Sequence, residues 1–376
     1  LLSPGPHPEP LPQIDARTIR GLVAAAGLTG HGGAGFPTHR KLDATAGTTN
    51  PIVIGNGAES EPASRKDHTL LRISPHLVLD GLALAARAVG AAETHLYLPA
   101  DLAASVRAAL SHRPHGSVHL HPAQPGFVAG EETAVISAVA GEAAVPADKL
   151  HRNAATLVQN VETLAHLAQI VRHGPDWFRN RGTRAEPGTF LATLSGPIHR
   201  PGVYEFPYGL RLGEILDAAG GPAEPLQAVL VGGYHGAWIP ASPDIEISRA
   251  GLARYDASPG AGILAALPAT ACGLVASARA IGYLARSRAG QCGPCLNGLP
   301  AIADTFAALA ELRPAPTLVT DIDRLSKLVI GRGACRHPDG TARLARSSLR
   351  MFALEVSAHL SGWCTATATR PMETVA

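Results

Sequence analysis

Lysines and aromatic side chains are scarce in this chain of 376 residues. Aromatic residues make up 4% of the sequence, and only four of the 32 basic residues are lysines. The net charge of +2 is close to balance, so the composition argues against nucleic-acid binding. The hydrophobic share of 46% and the charged share of 16% are typical of a folded protein, which excludes disorder as the dominant state.

Long runs of large apolar side chains are also absent. The longest uncharged stretch, Ala257 to Ala278, consists mainly of small residues, and Pro259 and Pro268 interrupt it. Such a stretch is a poor transmembrane helix. Because the N-terminus shows no signal-peptide pattern, the sequence predicts a cytoplasmic protein, for which any association with a membrane would depend on a partner.

Cysteine is rare, and all of it lies late in the chain. The five residues are Cys272, Cys292, Cys295, Cys335 and Cys364. An odd number of cysteines in a chain of this length is typical of a reduced protein with a metal or cluster site rather than of a disulfide framework.

Hydrophobic periodicity predicts an α/β fold in the first half of the chain and mostly helix at the end. A helix is predicted from the N-cap Asp15 to Gly27. Further on, strands are predicted at 51–55, 94–98 and 117–120, and helices at 75–89, 101–110 and 158–173. A β-rich stretch follows the linker at 182–188, and the last helices are predicted at 274–288, 298–312, 321–329 and 341–360.

The segment Gly30-His31-Gly32-Gly33-Ala34-Gly35 is a formal match to the dinucleotide-binding glycine pattern. Its context differs, because a helix precedes the glycines and Pro37 follows them. The bare backbone of such a loop can approach a phosphate or a flat ring, with Lys41 supplying positive charge. A tight structural turn is the alternative interpretation.

Two acidic segments follow the predicted strands. Asn56, Glu59 and Glu61 come directly after a buried strand, where α/β proteins bind ligands; a solvated turn explains them equally well. Glu131 and Glu132 lead into a helix, and the positive end of the helix dipole accounts for them without a ligand.

Taken in this order, the motifs resemble those of the NADH-binding, FMN-carrying flavoprotein subunit of respiratory complex I. Related subunits occur in soluble NAD-dependent hydrogenases and formate dehydrogenases. The resemblance rests on the glycine loop and on several later segments. These are 56–67, 130–133, Gln159 to Leu164, 193–197, 200–204 and Gly290-Gln291-Cys292-Gly293-Pro294-Cys295.

This resemblance implies three domains and two cofactors. A Rossmann-like FMN domain would cover residues 1–183, a ubiquitin-like β-grasp module 184–245, and a C-terminal four-helix bundle with an iron-sulfur cluster 246–376. FMN would be bound by Gly30, Gly32, Gly33, Gly35, Lys41, Asn56, Gly130, Gln159 and Asn160. Phe36 would face the nicotinamide of NAD(H), and Glu61, Glu131 and Glu132 would line the hydride-transfer pocket.

The chain departs from the family pattern at functional positions. His31, Ala58, Phe127 and Gln159 stand where the resemblance leads one to expect Arg, Asp, Tyr and Asn. The stretch 141–155 contains no aromatic residue, and Leu42 replaces the aromatic after Lys41, so two partners that could stack on NADH are missing.

The cluster pattern departs as well. Cys292, Cys295 and Cys335 match its ligands, but Ala289 stands at the first position. The resemblance therefore implies either a 4Fe-4S cluster with a substitute ligand or a 3Fe-4S cluster. Candidate substitutes are Ser287, His337, Cys272 and water, and the alternative is a set of buried thiols without metal. Cys364 is predicted to be a packed thiol.

Four histidines, His112, His115, His119 and His121, form a further group. His119 and His121 share one face of a predicted strand, so zinc binding there is one interpretation and a polar strand edge is the favoured one.

The resulting hypothesis is an NADH dehydrogenase-like oxidoreductase subunit that carries electrons from FMN to an iron-sulfur cluster. Its partner would be a ferredoxin-like or other iron-sulfur subunit, or a membrane redox protein. The alternative is a docking paralogue that has lost NADH and cluster function.

Overall fold

The computed structural model describes residues 1–3, 10–112, 117–147, 155–313 and 315–366. The chain forms two compact units. The first consists of Leu1–Ser60, Ser64–Ala192 and Val203–Gly209, and the second of Glu61–Ala63, Thr193–Gly202 and Leu210–Ala376. The sequence predicts three domains, and their boundaries stay predictions.

The first unit contains a four-stranded sheet and eight of the helices that the structure describes. The strands are β1 (Ile52–Asn56), β2 (Glu93–Leu98), β3 (Val118–Pro122) and β4 (Thr156–Asn160). The helices are α1 (Ala16–Ala26), α2 (Thr38–Ala46), α3 (Lys66–Ile73), α4 (Pro75–Val89), α5 (Ala103–Ser111), α6 (Glu132–Val139), α7 (Val161–His173) and α8 (Pro175–Arg179).

The sheet is parallel, with the strand order β3-β2-β1-β4. From β1 the chain first crosses to β2 and β3 on one side and later returns to β4 on the other. The carboxyl ends of β1 and β4 therefore form a topological switch point, the place where open α/β sheets bind ligands.

Local signals in the sequence set the ends of the helices. The Asp15 carboxylate accepts a hydrogen bond from the Thr18 amide at 3.0 Å and so caps α1, and Gly27 ends this helix with a φ of 72°. Helices α4 and α7 lie so close together that a Cβ on Gly81 would stand 1.9 Å from the Leu164 carbonyl oxygen. Their apolar faces supply much of the core of this unit.

One sequence prediction in this unit is wrong at its start. A single helix is expected over 158–173, but residues Thr156–Asn160 form β4 and the helix α7 begins at Val161. The Asn160 side chain accepts a hydrogen bond from the Glu162 amide at 3.0 Å, which caps the helix. Gln159 and Asn160 therefore lie at the end of a strand.

The chain also forms a mixed five-stranded sheet, whose order is β6-β5-β9-β7-β8. Its strands are β5 (Thr189–Ser195), β6 (Gly202–Pro207), β7 (Leu226–Val231), β8 (Ala237–Pro240) and β9 (Ile263–Pro268). The chain passes between the two units within β5 and β6. Strand β9 belongs to the uncharged stretch and lies beyond the predicted domain end at residue 245.

The helices of the second unit lie between and after these strands along the chain. They are α9 (Leu212–Ala218), α10 (Arg249–Leu252), α11 (Gly273–Arg286), α12 (Leu299–Ala310), α13 (Leu318–Val329), α14 (His337–Met351) and α15 (Ala353–Leu360). The last predicted helix, 341–360, is in fact two helices that are separated at Phe352. The ring of Phe352 packs against Gly273, where a Cβ would stand 2.3 Å from the ring.

Among the helices in the described ranges, none by itself has the length and apolar character needed to cross a membrane. Helices α3 and α4 meet that test only when they are counted as one pair, and they are bent by 97° relative to each other.

Candidate functional site

The carboxyl ends of β1 and β4 bring three of the predicted FMN-binding residues together. Asn56 and Asn160 are register partners at the last positions of the two strands. The side-chain amide of Asn56 donates to the Gly130 carbonyl oxygen at 2.9 Å. The side-chain amide of Asn160 donates to the backbone carbonyl oxygen of Asn56 at 3.3 Å. The loop before α6 is thereby fixed to the sheet edge.

The glycine loop follows α1, as its sequence context predicts, and it is followed by α2, a helix that the sequence analysis does not predict. The Gly30 amide donates to the Phe36 carbonyl oxygen at 2.9 Å, and the His31 amide donates to the Thr163 hydroxyl at 2.9 Å, which anchors the loop to α7. Residues 31–34 form a turn, and within the described part of the chain the amides of residues 32–35 donate no hydrogen bond of normal geometry. A run of unused amides is suited to bind an anionic or carbonyl-rich ligand.

Backbone conformation requires glycine in this loop. Gly33 has a φ of 106° and Gly35 a φ of 61°, a region that is unfavourable for L side chains. Nothing lies within 4 Å of the position of a Cβ on Gly33. Next to the glycines, Phe36 is 47% exposed, so its ring is available for stacking.

Lys41 and Glu132 form an ion pair at the same sheet edge. The Lys41 Nζ atom lies 3.1 Å from Glu132 Oε1 and 3.3 Å from the carbonyl oxygen of Val158 in β4. Both side chains are partly exposed. The lysine therefore supplies a positive charge where the sequence predicts the flavin.

Gly130 and Glu131, which precede α6, have structural roles. Glu131 caps α6, because its Oε2 atom accepts from the Thr133 amide at 2.8 Å and from the Ala134 amide at 3.3 Å. Gly130 has to be small, since a Cβ there would stand 2.5 Å from the Ser60 hydroxyl. The Glu131 contacts agree with the interpretation of this segment as a helix start, and a further role of Glu131 stays a prediction.

A buried polar group supports a ligand at this edge. Gln159 is 3% exposed, and its Nε2 donor has no hydrogen-bond partner in the described structure. An unsatisfied buried donor costs about 1–3 kcal/mol, so such groups usually serve a ligand or water. Together with the free amides and Lys41, this donor set fits the phosphate, ring carbonyls and hydroxyls of FMN.

Behind the loop lies a buried charge network that sequence reasoning missed. Glu162 accepts from Lys66 Nζ at 2.7 Å and from the Leu191 amide at 2.7 Å, and it lies 3.0 Å from His31 Nδ1. Burial by itself would lower the pKa of Lys66. The Asp67 and Glu162 carboxylates nevertheless hold this pKa above its ordinary value. The scarcity of lysine, with only four in the chain, was the signal that the sequence offered for Lys66.

The two acidic residues after β1 differ in what they contact. Glu59 accepts from the Ser64 hydroxyl at 2.6 Å and from the amides of Asp67 and His68 at 3.0 and 2.8 Å, so it closes the turn before α3. Glu61 belongs to the second unit, where it accepts from the Tyr234 amide at 2.9 Å. Burial raises the pKa of Glu61 to about 7. Its role in hydride transfer stays a prediction.

Leu42 stands where the resemblance leads one to expect an aromatic residue. Its side chain is 0% exposed and lies in the core of the first unit. Leu42 itself is therefore not available for stacking on a nucleotide, and the effect of the missing aromatic on NADH binding stays a prediction. The stretch 141–155 is only partly described, because residues 148–154 lie outside the described ranges.

Three predicted cluster ligands lie close together in the second unit. Cys295 lies in a π-helical turn, Pro294–Gly298, a feature that often marks functional sites. Burial, then the hydrogen bond to Cys292 and the nearby Cys335, raise the pKa of Cys295 to about 11. A metal cluster would stabilise three thiols placed in this way as thiolates.

The structure separates the candidates for the missing ligand. Both ring nitrogens of His337 are occupied, since they lie 2.8 Å from the Leu284 carbonyl oxygen and 2.9 Å from His235 Nε2. Cys272 precedes α11, whereas Ala289 follows it, and the 14 residues of this helix separate them by about 20 Å. These contacts and distances count against His337 and Cys272, whereas Ser287, which directly follows α11, and water stay predicted candidates.

The histidine group is partly described. The rings of His119 and His121 both lie 5.2 Å from that of His95 on β2, and His95 Nδ1 lies 3.0 Å from His121 Nε2. His112 instead contacts the Ala108 carbonyl oxygen, and His115 lies outside the described residues. Zinc binding at this group stays untested.

Comparison with known proteins identifies three matching family models along the chain. Residues 23–169 match the Nuo51 FMN-binding domain, 191–233 the SLBB domain, and 275–359 the NADH-ubiquinone oxidoreductase-F iron-sulfur binding region. The order of these matches agrees with the order of the motifs.

Two similar proteins match over most of their own length. The F 2 subunit of NADH-quinone oxidoreductase from Rhizobium meliloti (strain 1021) is 30% identical over 90% of this chain and 88% of its own. The F subunit of the same enzyme from Streptomyces coelicolor (strain ATCC BAA-471 / A3(2) / M145) is 30% identical over 90% of this chain and 82% of its own.

A solved structure shares the fold. A chain of the NAD+-reducing [NiFe]-hydrogenase in the H2-reduced state superimposes with a TM-score of 0.86 at 29% identity, over 92% of this chain. This protein spans 63% of that hydrogenase chain. The resemblance inferred from the motifs is thereby confirmed: the chain belongs to the family of the NADH-quinone oxidoreductase F subunits and is related to a subunit of NAD+-reducing hydrogenase.

Proposed function

We propose that this protein is a flavoprotein electron-transfer subunit that binds FMN and an iron-sulfur cluster. The observation that carries the proposal is the switch point between β1 and β4. There the glycine loop, Lys41, Asn56 and the unpartnered Gln159 donor lie at one sheet edge.

Different residues at this sheet edge would bind different parts of FMN. The free amides of 32–35 and the Lys41 ammonium would bind anionic and carbonyl oxygens, and Gln159 would gain its missing acceptor. FMN accepts a hydride as an electron pair and passes electrons on singly. Asn56 and Asn160 would keep the two strand ends and the Gly130 loop in register around it.

The same site would accept a nicotinamide. Phe36 presents its exposed ring beside the loop, and Glu132 offers a carboxylate that Lys41 partly neutralises. We infer that NADH is the electron donor, as the names of the relatives state for them. Glu61, whose pKa of about 7 lies close to physiological pH, would hold or release a proton on the second unit.

Electrons would leave through the cluster region and a partner. Cys292, Cys295 and Cys335 would bind the cluster, whose iron without a cysteine ligand would be bound by water or lost, giving 4Fe-4S or 3Fe-4S. In the mixed sheet, β5 and β9 are parallel at the centre and α9 follows β6 in the chain, which supports a ubiquitin-like β-grasp module. The partner would be an iron-sulfur subunit, ferredoxin-like or otherwise, that is cytoplasmic or bound to a membrane redox protein.

An anaerobic ultraviolet-visible spectrum, recorded before and after addition of NADH, tests the proposal. We expect a flavin band that NADH bleaches. The variant Lys41→Gln should lose flavin, whereas Lys327→Gln should retain it, because Lys327 pairs with Asp323 on the exposed side of α13.

The outcomes separate the candidate functions. A flavin band that NADH leaves unchanged would refute NADH as the donor and point to a protein donor. A purified protein without flavin, which also fails to bind added FMN, would refute the proposal and favour a docking paralogue.

A further inference from the structure

Three potential metal ligands meet at the start of α11, far from the predicted cluster. Cys272, His359 and Cys364 each offer one ligand atom, and these atoms all lie within 4.8 Å of one another. Cys272 directly precedes α11, His359 lies in the last turn of α15, and Cys364 follows that helix. The matched iron-sulfur region, 275–359, includes neither cysteine.

The imidazole of His359 is oriented as a metal ligand usually is. Its Nδ1 atom lies 3.0 Å from the Leu309 carbonyl oxygen, which can only accept a hydrogen bond. Nδ1 therefore carries the proton, and the lone pair of Nε2 points toward Cys272 Sγ at 3.5 Å. A backbone carbonyl that fixes the tautomer in this way is the common outer partner of metal-binding histidines.

The electrostatic surroundings favour a cation. The Cys272 thiol lies 3.3 Å from Glu355 Oε2, and the same oxygen accepts from the Gly273 amide at 2.8 Å. The Glu355 carboxylate therefore places a negative charge beside the three ligand atoms. A divalent cation would stabilise both cysteines as thiolates.

We propose that Cys272, His359 and Cys364 bind a zinc-class divalent cation at a site separate from the flavin and the iron-sulfur cluster. Two thiolates and one imidazole are a ligand set that Zn²⁺ accepts, with a fourth position for water. Cys364 is half-buried and gives the ion a path of entry. The bound ion would tie the chain after α15 to the start of α11, which is a structural role.

The test is zinc binding by the whole chain and by two matched cysteine variants. Each protein is freed of zinc with a chelator, dialysed against buffered Zn²⁺ and analysed for zinc and iron per chain. Cys364→Ser should weaken zinc binding at least about 100-fold, because even the loss of an outer partner costs 10- to 100-fold. Cys335→Ser, which changes the predicted cluster, should retain this zinc equivalent.

A second readout guards against a variant that simply fails to fold. Zinc should raise the melting temperature of the wild-type protein and leave that of Cys364→Ser unchanged. The proposal is overturned if Cys364→Ser binds zinc as tightly as the wild type, or if the zinc is lost with Cys335 instead. It is also overturned if the isolated protein contains a Cys272–Cys364 disulfide and its reduced form takes up no zinc.

Discussion

The substitution Glu162→Gln is expected to destabilise the first unit strongly. The amide has nearly the same shape as the carboxylate and can still accept from the Leu191 amide, but it has no charge. The Lys66 ammonium, 2.7 Å away and 2% exposed, would keep only Asp67 as a charged partner. Removing one member of a buried ion pair costs about 3–5 kcal/mol, and the remaining Asp67 contact favours the lower end, about 3 kcal/mol.

The pH dependence of this effect has a definite sign. Burial alone would raise the pKa of Glu162, but Lys66 and His31 hold it well below its ordinary value of 4.5. The carboxylate therefore stabilises the fold above pH 4.5, and this stability is lost as the pH falls further and the unfolded chain becomes protonated. Between pH 7 and pH 3.5, the difference in free energy between wild type and variant should shrink by about 1.4 kcal/mol.

Hydrogen exchange followed by mass spectrometry measures the change within the unit itself. Peptides from α7 should exchange about 150-fold faster in the variant at pH 7, which is about 3 kcal/mol expressed as a rate ratio. The matched control is Asp43→Asn, since Asp43 pairs with Arg20 at 3.0 Å with its side chain 58% exposed. That change should cost less than about 1 kcal/mol. If both substitutions changed the exchange rates equally, the conclusion that the buried charge network stabilises the first unit would be refuted.

Three further predictions follow from single sites. Burial raises the pKa of Glu61 to about 7, so the wild type should lose stability as the pH rises from 4.5 to 7. The variant Glu61→Gln should therefore melt at a higher temperature than the wild type at pH 8 but not at pH 4. A difference in melting temperature that does not change with pH would contradict this. Gly33→Ala should cost about 1–2 kcal/mol of backbone strain and weaken flavin binding about tenfold in a fluorescence titration, whereas Gly21→Ala, a helical site that is equally open, should not. Cys292→Ser should lower the iron content and Cys364→Ser should not; unchanged iron in the former would refute the cluster assignment.

Much of the first unit follows from local chemistry. The cap at Asp15, the glycine that ends α1 and the alternation of strands and helices all appear in the structure where the sequence predicts them. The error at 158–173 has a physical reason. A short buried strand that runs directly into an apolar helix has no polar break, and its periodicity cannot be separated from that of the helix.

The single helix expected at 341–360 shows a different limit. Residues 341–360 have continuous helical periodicity, yet the chain bends at Phe352, whose ring packs on Gly273. Glu355 then caps the start of α11 by accepting from the amides of Gly273 and Leu274. These contacts join residues about eighty positions apart, so no local pattern contains them.

The sequence alone determined the family, the order of the flavin and cluster motifs, and the three cysteines that match the cluster ligands. These are properties of residue type and spacing, which are read directly along the chain. Only the tertiary structure placed Lys66 and Glu162 behind the glycine loop, committed Glu59 and Glu131 to turns and caps, and brought Cys272, His359 and Cys364 together. Those facts depend on which distant segments share a buried environment, and packing across the fold decides that.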